Sequence, residues 1–268
     1  QIMLAEKPDM VLIYGDTNST LAGALAAAKL HMPVAHVEAG LRSFNRRMPE
    51  ETNRVVADHL STLLFCPTET AIRNLAAEGI IKGVHAVGDV MFDATVAATA
   101  RARSVSHILD TLALSPRGYA VATIHRAENT DVPERFEAVL AWLAQRGIEQ
   151  PVIFSVHPRT RKLIEARGRG VDKLRLIQPL GYLDMAWLLH NAAGVFTDSG
   201  GVQKEAYFHR VPCVTLRDET EWVETVEAGW NRLWTSADYR TPRRDIADYG
   251  EGRSAEIIAK TIAAHFGG

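Results

Sequence analysis

Three carboxylates in the first third of the chain stand where side chains can exchange protons with a ligand. Asp16 follows a strand-like run at residues 10–14, and Glu38 follows the next such run at residues 33–37. Glu50 opens the helical segment that comes after them. Open α/β folds bind ligands just beyond the carboxyl ends of their strands, and carboxylates serve as general acids and bases. The three side chains therefore predict an acid–base site.

Each of these carboxylates also has a structural alternative, and the alternatives carry different weight. Asp16 could cap the helix that follows it, which is a common role for Asp after a strand. Glu50 and its neighbour Glu51 could complement the dipole of a helix that starts after a proline. The pattern favours this structural role for Glu51 and leaves both readings open for Glu50. Glu38 is no cap, and the nearby Gly40 lets a backbone or a ligand come close, so a functional role is favoured for Glu38.

A second motif, later in the chain, has the composition of a phosphate site. Ser199, Gly200 and Gly201 open a helix directly after a strand-like run at residues 195–197. Free N–H groups and the helix dipole at such a start suit a diphosphate. Glu205, on the opening turns, could accept hydrogen bonds from ribose hydroxyls. An ordinary tight turn capped by Ser199 is the alternative.

Two histidines end neighbouring strand-like runs in the second half of the chain. His125 and His157 are each followed closely by an arginine, and this repetition predicts a surface for phosphate or sugar hydroxyls rather than core packing. Neither His-x-x-x-His nor Cys-x-x-Cys spacing accompanies them, so the sequence predicts no metal.

The elements that must position these residues alternate between short aliphatic runs and longer helical patterns, which is typical of βαβ units and parallel sheets. The alternation restarts after a break near residues 101–118. We therefore expect an α/β protein with two doubly wound, Rossmann-like domains facing a cleft. The predicted domains cover residues 1–105 and 106–250, and a last helix at 251–268 is expected to pack back on the first domain.

Composition excludes several function classes. The 268 residues are 47% hydrophobic and 23% charged, as in globular proteins with a core. The formal charge of −2, with basic and acidic residues interspersed, gives no electrostatic case for nucleic acid. No apolar run is long enough for a membrane span, and residues 1–6 do not resemble a signal peptide. Cys66 and Cys213 read as buried thiols, so a soluble cytoplasmic protein is predicted.

The motifs occur in one order, and together they are specific. This series resembles the non-hydrolysing UDP-N-acetylglucosamine 2-epimerases, which have the two-Rossmann glycosyltransferase-B fold. The motifs that carry the resemblance are Gly15-Asp16-Thr17, His36-Val37-Glu38-Ala39-Gly40-Leu41-Arg42, Pro49-Glu50-Glu51-Thr52-Asn53-Arg54, Pro67-Thr68-Glu69, His125-Arg126-Ala127-Glu128-Asn129 and Thr197-Asp198-Ser199-Gly200-Gly201.

The resemblance implies a cofactor-free and metal-free exchange of UDP-N-acetylglucosamine and UDP-N-acetylmannosamine for surface-polysaccharide precursors. Enzymes of that family remove the C2 proton and expel UDP, which leaves a bound 2-acetamidoglucal. UDP then adds again at C1 while a proton returns to the opposite face of C2. By matching motifs, the catalytic residues are Asp16, Glu38, Glu50 and His125. The residues expected to bind the UDP-sugar are Arg42, Arg54, His157, Ser199, Gly200, Gly201, Glu205 and Arg217. The family also implies a homodimer.

Two departures from the family pattern qualify this picture. The family's first strand and its glycine-rich loop have no counterpart before Gln1, so the N-terminal domain is expected to be incomplete. Residues 211–224 look more like the branch that acts on UDP-2,3-diacetamido-2,3-dideoxyglucuronate, with Trp222 and the pair Arg46 and Arg47 as the suspected determinants. Solvation explains the arginine pair equally well. The competing functions are a glycosyltransferase of the same fold and an inactive sugar-nucleotide-binding fragment.

Overall fold

The computed structural model describes residues 1–167 and 171–267, and its strands form two parallel sheets. The chain divides into two compact units. The first comprises residues 1–93 and the chain from Ala247 onward, and the second comprises residues 94–246. The alternation of strands and helices confirms the predicted α/β class with two Rossmann-like sheets.

The first unit is built on a four-stranded sheet in which the strands follow one another in chain order. Strands β2 and β3 are buried along their whole length, as expected of aliphatic runs in a parallel sheet. The elements are α1 (Ile2–Glu6), β1 (Val11–Tyr14), α2 (Asn18–Lys29), β2 (Val34–Val37), α3 (Pro49–Leu60), β3 (Leu63–Cys66), α4 (Glu69–Ala77) and β4 (Val84–Ala86). In the register of β1 with β2, Tyr14 stands opposite Val37, so these two strands end side by side.

Local sequence explains where the two helices nearest the carboxylates begin. Thr17 caps α2: its hydroxyl accepts from the N–H of Thr20, and the hydroxyl of Thr20 accepts from the N–H of Thr17. Pro49 occupies the first turn of α3, where its missing N–H costs nothing. Glu50 and Glu51 follow in that first turn, which is favourable beside the positive end of the helix dipole.

The second unit has a six-stranded sheet in the order β10-β9-β8-β5-β6-β7. The chain enters at the centre with β5, builds outward to β7, and then returns to the other side of β5 with β8. The sheet is therefore doubly wound, and its switch point lies between β5 and β8. The elements are α5 (Val90–Val105), α6 (Ile108–Thr111), β5 (Ala120–Thr123), α7 (Ala127–Thr130), α8 (Pro133–Glu149), β6 (Val152–Ser155), α9 (Pro158–Arg167), β7 (Leu174–Ile177), α10 (Tyr182–His190), β8 (Gly194–Thr197), α11 (Gly200–Phe208), β9 (Cys213–Thr215), α12 (Val223–Glu227) and β10 (Asn231–Leu233).

Both faces of this second sheet are covered. Alternate residues of β5 enter two different hydrophobic clusters: Ala120 and Ala122 pack with Phe136 of α8, whereas Val121 packs with Leu188 of α10. This alternation is what a pleated strand requires when helices lie on both sides of the sheet. The core fixes the ends of β5 and β8, from which the candidate ligand residues project.

The boundary between the units differs from the predicted one. It falls between Asp93 and Ala94, inside α5, and not after residue 105. A continuous helix contains no turn signal, whereas Pro116 and Gly118 interrupt the pattern further along the chain, and the predicted boundary therefore fell closer to them. The later turns of this segment belong to the second unit, where the hydroxyl of Ser106 donates to Asp184.

The last helix, α13 (Ser254–Phe266), belongs to the first unit. Ile258 packs with Val37 and Phe65 of the first sheet, and the N–H of Ala255 donates to the carboxylate of Asp93. The segment that joins this unit begins at Ala247, slightly before the predicted residue 251.

The two cysteines are buried thiols in the structure. Burial raises the pKa of Cys66 to about 12 and also raises the pKa of Cys213. Within the described residues, none of the helices combines the length and the apolar character that crossing a bilayer takes.

Candidate functional site

The structure brings two of the predicted carboxylates together in the first unit. Asp16 follows β1 and Glu38 follows β2, and these neighbouring strands end side by side. Between them lies Gly15, whose φ is +61°. A Cβ built on Gly15 would stand 3.4 Å from Oε2 of Glu38, so the Glu38 carboxylate lies against the backbone that leads into Asp16.

Asp16 is not the cap of the helix that follows it. Thr17 performs the capping, and the carboxylate of Asp16 instead accepts a hydrogen bond from Nη2 of Arg54 at 2.5 Å. Arg54 is 2% exposed and also donates to Glu51 at 3.1 Å. The capping role considered for Asp16 is therefore excluded, and its carboxylate is instead held in place by the buried guanidinium of Arg54.

Glu38 has a backbone conformation that few residues of its kind adopt. Its φ is +69°, in the left-handed region that favours glycine. The flanking backbone holds it there, because the N–H of Gly15 donates to Val37 and the N–H of Ala39 donates to Phe65. A large side chain kept at a strained position is a recognised signature of a functional residue.

Glu51 is a structural acid, as its position in the sequence favoured, but it does more than complement the helix dipole. It is 3% exposed and accepts hydrogen bonds from Ser43 and Phe44 as well as from Arg54. It therefore shapes the loop that precedes α3. Glu50 is half-buried in the same first turn, and its catalytic role stays a prediction.

Arg42 and Arg54, both predicted to bind the substrate, are buried against acids in the structure. Arg42 donates to Asp58 at 2.7 Å and to Glu78 at 2.6 Å, and Arg54 is held by Asp16 and Glu51. A buried guanidinium needs such partners because an unpaired charge is costly away from water. These contacts favour a role in positioning the acids over direct contact with a ligand.

In the second unit, the predicted histidine stands at the switch point of the sheet. His125 follows β5, and Asp198 follows the adjacent strand β8. Nδ1 of His125 lies 3.1 Å from Oδ1 of Asp198, and the carboxylate also accepts from the N–H groups of His125 and Arg126 and from the side chain of Asn129. Asp198 is fully buried, whereas the side chain of His125 is 48% exposed.

This arrangement fixes the orientation of His125. Burial opposes ionisation of Asp198, but the hydrogen bonds from His125, Arg126 and Asn129 outweigh it and hold the pKa of Asp198 below its ordinary value. Because Nδ1 faces this carboxylate, Nε2 is the nitrogen left to face a ligand. Asp198 was named from the sequence within the motif at residues 197–201 but was assigned no role of its own. The signal was an Asp directly after a buried strand, at the same level as His125 on the neighbouring strand.

The start of α11 keeps backbone donors available. Ser199 caps the helix through a bond from Val202 N–H to its hydroxyl, so the structural role considered for Ser199 is present. The N–H groups of Gly200 and Gly201 have no acceptor within the part of the chain that the structure describes. Two free donors at the positive end of a helix suit an anion.

Gly200 has a second reason to be glycine. A Cβ on it would stand 2.6 Å from Oε1 of Glu221 and 3.3 Å from Nε1 of Trp222. Substitution of Gly200 would therefore disturb the packing of the helix start as well as the approach of an anion.

Glu205 lies one turn further along α11 and is 9% exposed. Burial raises its pKa to about 7, although the neighbouring Lys204 acts in the opposite direction. Among the described residues no side chain donates a hydrogen bond to Glu205, and a hydroxyl that donated to it would stabilise its ionised form.

His157 lines a small pocket beside His125. The pocket, of about 160 Å³, opens between the ends of β5 and β6, and Ser155 and Pro179 complete its wall. The structure thus brings the two predicted histidines to one opening.

Arg217, which the sequence predicts to contact the substrate, is buried against acidic side chains. It is 1% exposed, lies 3.0 Å from Glu128, and donates to Glu221 at 2.9 Å. Because its guanidinium is enclosed by acids, a role in holding the segment beside Gly200 is favoured.

A helix start open to a diphosphate, at the switch point of a doubly wound sheet, is the arrangement of a nucleotide-binding enzyme. The fold is similar to that of solved UDP-GlcNAc 2-epimerases of the glycosyltransferase-B type, and one further similar structure, from S. aureus, is a complex with UDP. The chain belongs to the UDP-N-acetylglucosamine 2-epimerase family, whose model matches residues 1–263.

Individual relatives agree with this assignment. A UDP-N-acetylglucosamine 2-epimerase homologue of Methanococcus maripaludis is 55% identical over 98% of this chain and 77% of its own length. The UDP-2,3-diacetamido-2,3-dideoxy-D-glucuronate 2-epimerase of Pseudomonas aeruginosa is 48% identical over the same shares. The crystal structure of Methanocaldococcus jannaschii UDP-GlcNAc 2-epimerase, in complex with UDP-GlcNAc and UDP, has a TM-score of 0.85 and 40% identity, and the match covers 98% of this chain and 78% of that one.

Proposed function

We propose that this protein inverts C2 of a UDP-2-acetamido sugar, with UDP-N-acetylglucosamine and UDP-N-acetylmannosamine as the exchanging pair. The observation that supports this most directly is the position of Asp16 and Glu38 at the ends of two adjacent strands, with Oε2 of Glu38 beside the residue that precedes Asp16. A transferase of the same fold has no need for two carboxylates at neighbouring strand ends. The product would supply precursors of surface polysaccharides.

The chemistry follows from the substrate. C2 of the sugar is not next to a carbonyl, so its proton is too weakly acidic to be removed alone. We propose that a carboxylate takes the C2 proton while the C1–O bond to UDP breaks, and the electron pair forms the C1=C2 double bond of a 2-acetamidoglucal. In the return step a proton adds to the opposite face of C2, and a UDP oxygen re-forms the bond to C1. Proton transfer on two faces calls for more than one acid–base group, and Asp16, Glu38 and Glu50 are the residues we assign to it.

The second unit is assigned to UDP. The free N–H groups of Gly200 and Gly201 and the helix dipole meet the charge that develops on the diphosphate when it leaves. His125, oriented by Asp198, presents its Nε2 to the diphosphate. Glu205 accepts from the ribose, and His157 contributes to the adjoining pocket.

A specific observation favours a second substrate, UDP-2,3-diacetamido-2,3-dideoxyglucuronate. The Pseudomonas aeruginosa enzyme named for it is 48% identical to this chain. In the segment that resembles this branch, the indole of Trp222 is 4% exposed and lies beside Gly200, with the ammonium of Lys204 4.0 Å above its ring. Both sugars undergo the same reaction at C2, so the choice changes the substrate and not the mechanism.

Solvent exchange tests the proposal directly. The purified protein is incubated in D₂O with each of the two UDP-sugars, and deuterium at C2 is measured by mass spectrometry and proton NMR. We expect deuterium in both epimers of the true substrate, and incorporation at least about a hundredfold slower with Glu38→Gln. If neither sugar gains deuterium while UDP still binds, the epimerase assignment is wrong and a binding or transferase function is favoured.

The raised pKa of Glu205 gives a pH dependence with a definite sign. A carboxylate that accepts from ribose binds UDP in its ionised form, so UDP binding should release a proton below pH 7. We expect the Kd for UDP to fall by about tenfold between pH 6 and pH 8, because the ionised fraction rises by that factor around a pKa of about 7.

Glu205→Gln is the control for this titration. It keeps the shape and loses the charge, so its Kd should be weaker at pH 8 and should lose the part of the pH dependence that the wild type owes to Glu205. Without UDP, the raised pKa of Glu205 also affects the free energy of unfolding. Its stabilising contribution is fully present below pH 4.5 and is lost as the pH rises through about 7. Calorimetric titration of UDP in two buffers of different ionisation enthalpy measures the released proton. If the Kd for UDP changed equally with pH in the wild type and in Glu205→Gln, another titrating group would be responsible.

A further inference from the structure

His36 is a buried histidine of β2 whose two ring nitrogens are both engaged. It is 0% exposed. Its Nε2 lies 2.8 Å from the carbonyl oxygen of Gly15, and its Nδ1 lies 2.7 Å from Oδ1 of Asp58, which is also buried. The ring therefore bridges α3 to the loop that leads from β1 into Asp16.

The proton count follows from the partners. A carbonyl oxygen only accepts, so Nε2 of His36 must donate to Gly15. The contact between Nδ1 and Asp58 at 2.7 Å then contains one further proton, since two lone pairs would repel at that distance. With both nitrogens committed, the ring has a single orientation.

Asp58 extends this arrangement to the other side of Glu38. Its Oδ2 accepts from the N–H of Gly40 at 3.1 Å and from Arg42 at 2.7 Å. One carboxylate thus fixes the histidine behind Gly15 and also the backbone two residues after Glu38.

The peptide that His36 holds is one that can turn easily. Gly15 has a φ of +61°, and glycine passes between conformations at little cost because it has no Cβ. Rotation of this peptide would redirect Asp16, whereas Glu38, whose Oε2 lies beside Gly15, would keep its place. The bond from His36 selects one orientation.

We propose that His36 and Asp58 form a positioning pair that sets the Asp16 and Glu38 carboxylates in the relation that proton transfer at C2 needs. This inference rests on the proposed function for its catalytic consequence. Neither residue touches the substrate: His36 acts through Gly15, and Asp58 acts through His36 and Gly40.

Two substitutions of the same position separate the two contacts. Gln places its amide nitrogen near the position of Nε2, so His36→Gln keeps a donor for Gly15 and loses the bond to Asp58. Asn places its amide nitrogen near the position of Nδ1, so His36→Asn keeps the contact with Asp58 and loses Gly15. We expect kcat to fall by about a hundredfold in His36→Asn, the scale of a 1 Å displacement, and by less than tenfold in His36→Gln. KM for the UDP-sugar and Kd for UDP should stay within about threefold of the wild type in both variants.

Asp58→Asn is the matched control for charge. Its amide can donate to Nδ1 of His36, its oxygen can still accept from Gly40 and Arg42, and Nε2 of His36 still donates to Gly15. We expect activity within about threefold of the wild type. The positioning role would be wrong if kcat fell only in proportion to the melting temperature across the three variants. It would also be wrong if kcat were no higher in His36→Gln than in His36→Asn.

The backbone amide signal of Asp16 in ¹⁵N NMR spectra gives a readout that does not depend on catalysis. It should move in His36→Asn and stay near its wild-type position in His36→Gln and Asp58→Asn. If the wild type showed no exchange at C2, the epimerase proposal would fail, and this signal would still decide whether His36 orients the Gly15 peptide. An Asp16 amide unchanged in a folded His36→Asn would refute the inference.

Discussion

Replacement of Glu38 by Gln is expected to reduce kcat by about 10²-fold or more while the melting temperature changes little. The loss is that of an acid or base, and Gln has the same shape without the ability to exchange the proton. UDP binding, assigned to the second unit, should remain within about twofold of the wild type by calorimetry.

Glu38→Gly makes the same prediction sharper, because function and stability should move in opposite directions. Glu38 has a φ of +69°, and a residue with a side chain pays about 1–2 kcal/mol in the left-handed region. Glycine removes this cost, so Glu38→Gly should be inactive and yet melt at the same temperature as the wild type or above it. His31→Gly is the matched control. His31 is exposed and has a φ of +58° after α2, so its replacement should add stability and leave activity unchanged. A Glu38→Gln variant with more than a tenth of wild-type turnover would exclude Glu38 from the chemistry.

The second large effect is expected at Asp198. Asp198→Asn puts an amide group among donors that now meet a carboxylate: the N–H groups of His125 and Arg126 and the side chain of Asn129. We expect a loss of about 3 kcal/mol or more in the free energy of unfolding, because the hydrogen bonds to this buried carboxylate are charge-assisted. In addition, an amide nitrogen in place of Oδ1 would face the N–H of His125, which lies 3.2 Å from Oδ1. kcat should fall by about 10²–10³-fold, since His125 loses the partner that orients it.

The pH dependence of stability gives this prediction a sign. The pKa of Asp198 is below its ordinary value in the folded protein, so its contribution is present above the ordinary value of 3.8 and disappears as the pH falls through the folded value. The difference between the wild type and Asp198→Asn in urea melts should therefore shrink in strong acid. Asp218→Asn is the control, because Asp218 is 65% exposed and its ion pair with Arg135 is open to solvent. Equal stability losses in the two variants would contradict the special role of Asp198.

The sequence predicted most of the fold, and the exceptions have physical reasons. The strand-like runs predicted at residues 10–14, 33–37 and 195–197 agree with β1, β2 and β8 to within one residue at each end, because aliphatic runs between turn signals are read directly from local composition. Strand β10 was missed. Its Asn231, Arg232 and Leu233 lack β-branched side chains, and only the pairing with β9 makes them a strand.

For the site, residue types were easier to predict than partners. Asp16 and Glu38 were expected together because the ends of neighbouring parallel strands meet. The arginines at 42, 54 and 217 were expected to bind substrate, since sequence cannot tell which acid an arginine will meet in the folded chain. The structure pairs all three with buried or half-buried acids in their own unit. Asp198 was predicted only as part of a motif, because its own role depends on the donors that converge on it in the folded chain.

The burial of both cysteines has a practical consequence. Thiol reagents attack the thiolate, and a thiol whose pKa is about 12, as for Cys66, provides almost none at neutral pH. Cys213 is shielded in the same way inside the second sheet. A single cysteine introduced at an exposed position, such as Phe44 in the loop before α3, would therefore take a fluorescent or spin label against a silent background. The loop can therefore be labelled without removal of the protein's own thiols, and the label would report whether the loop responds to a UDP-sugar.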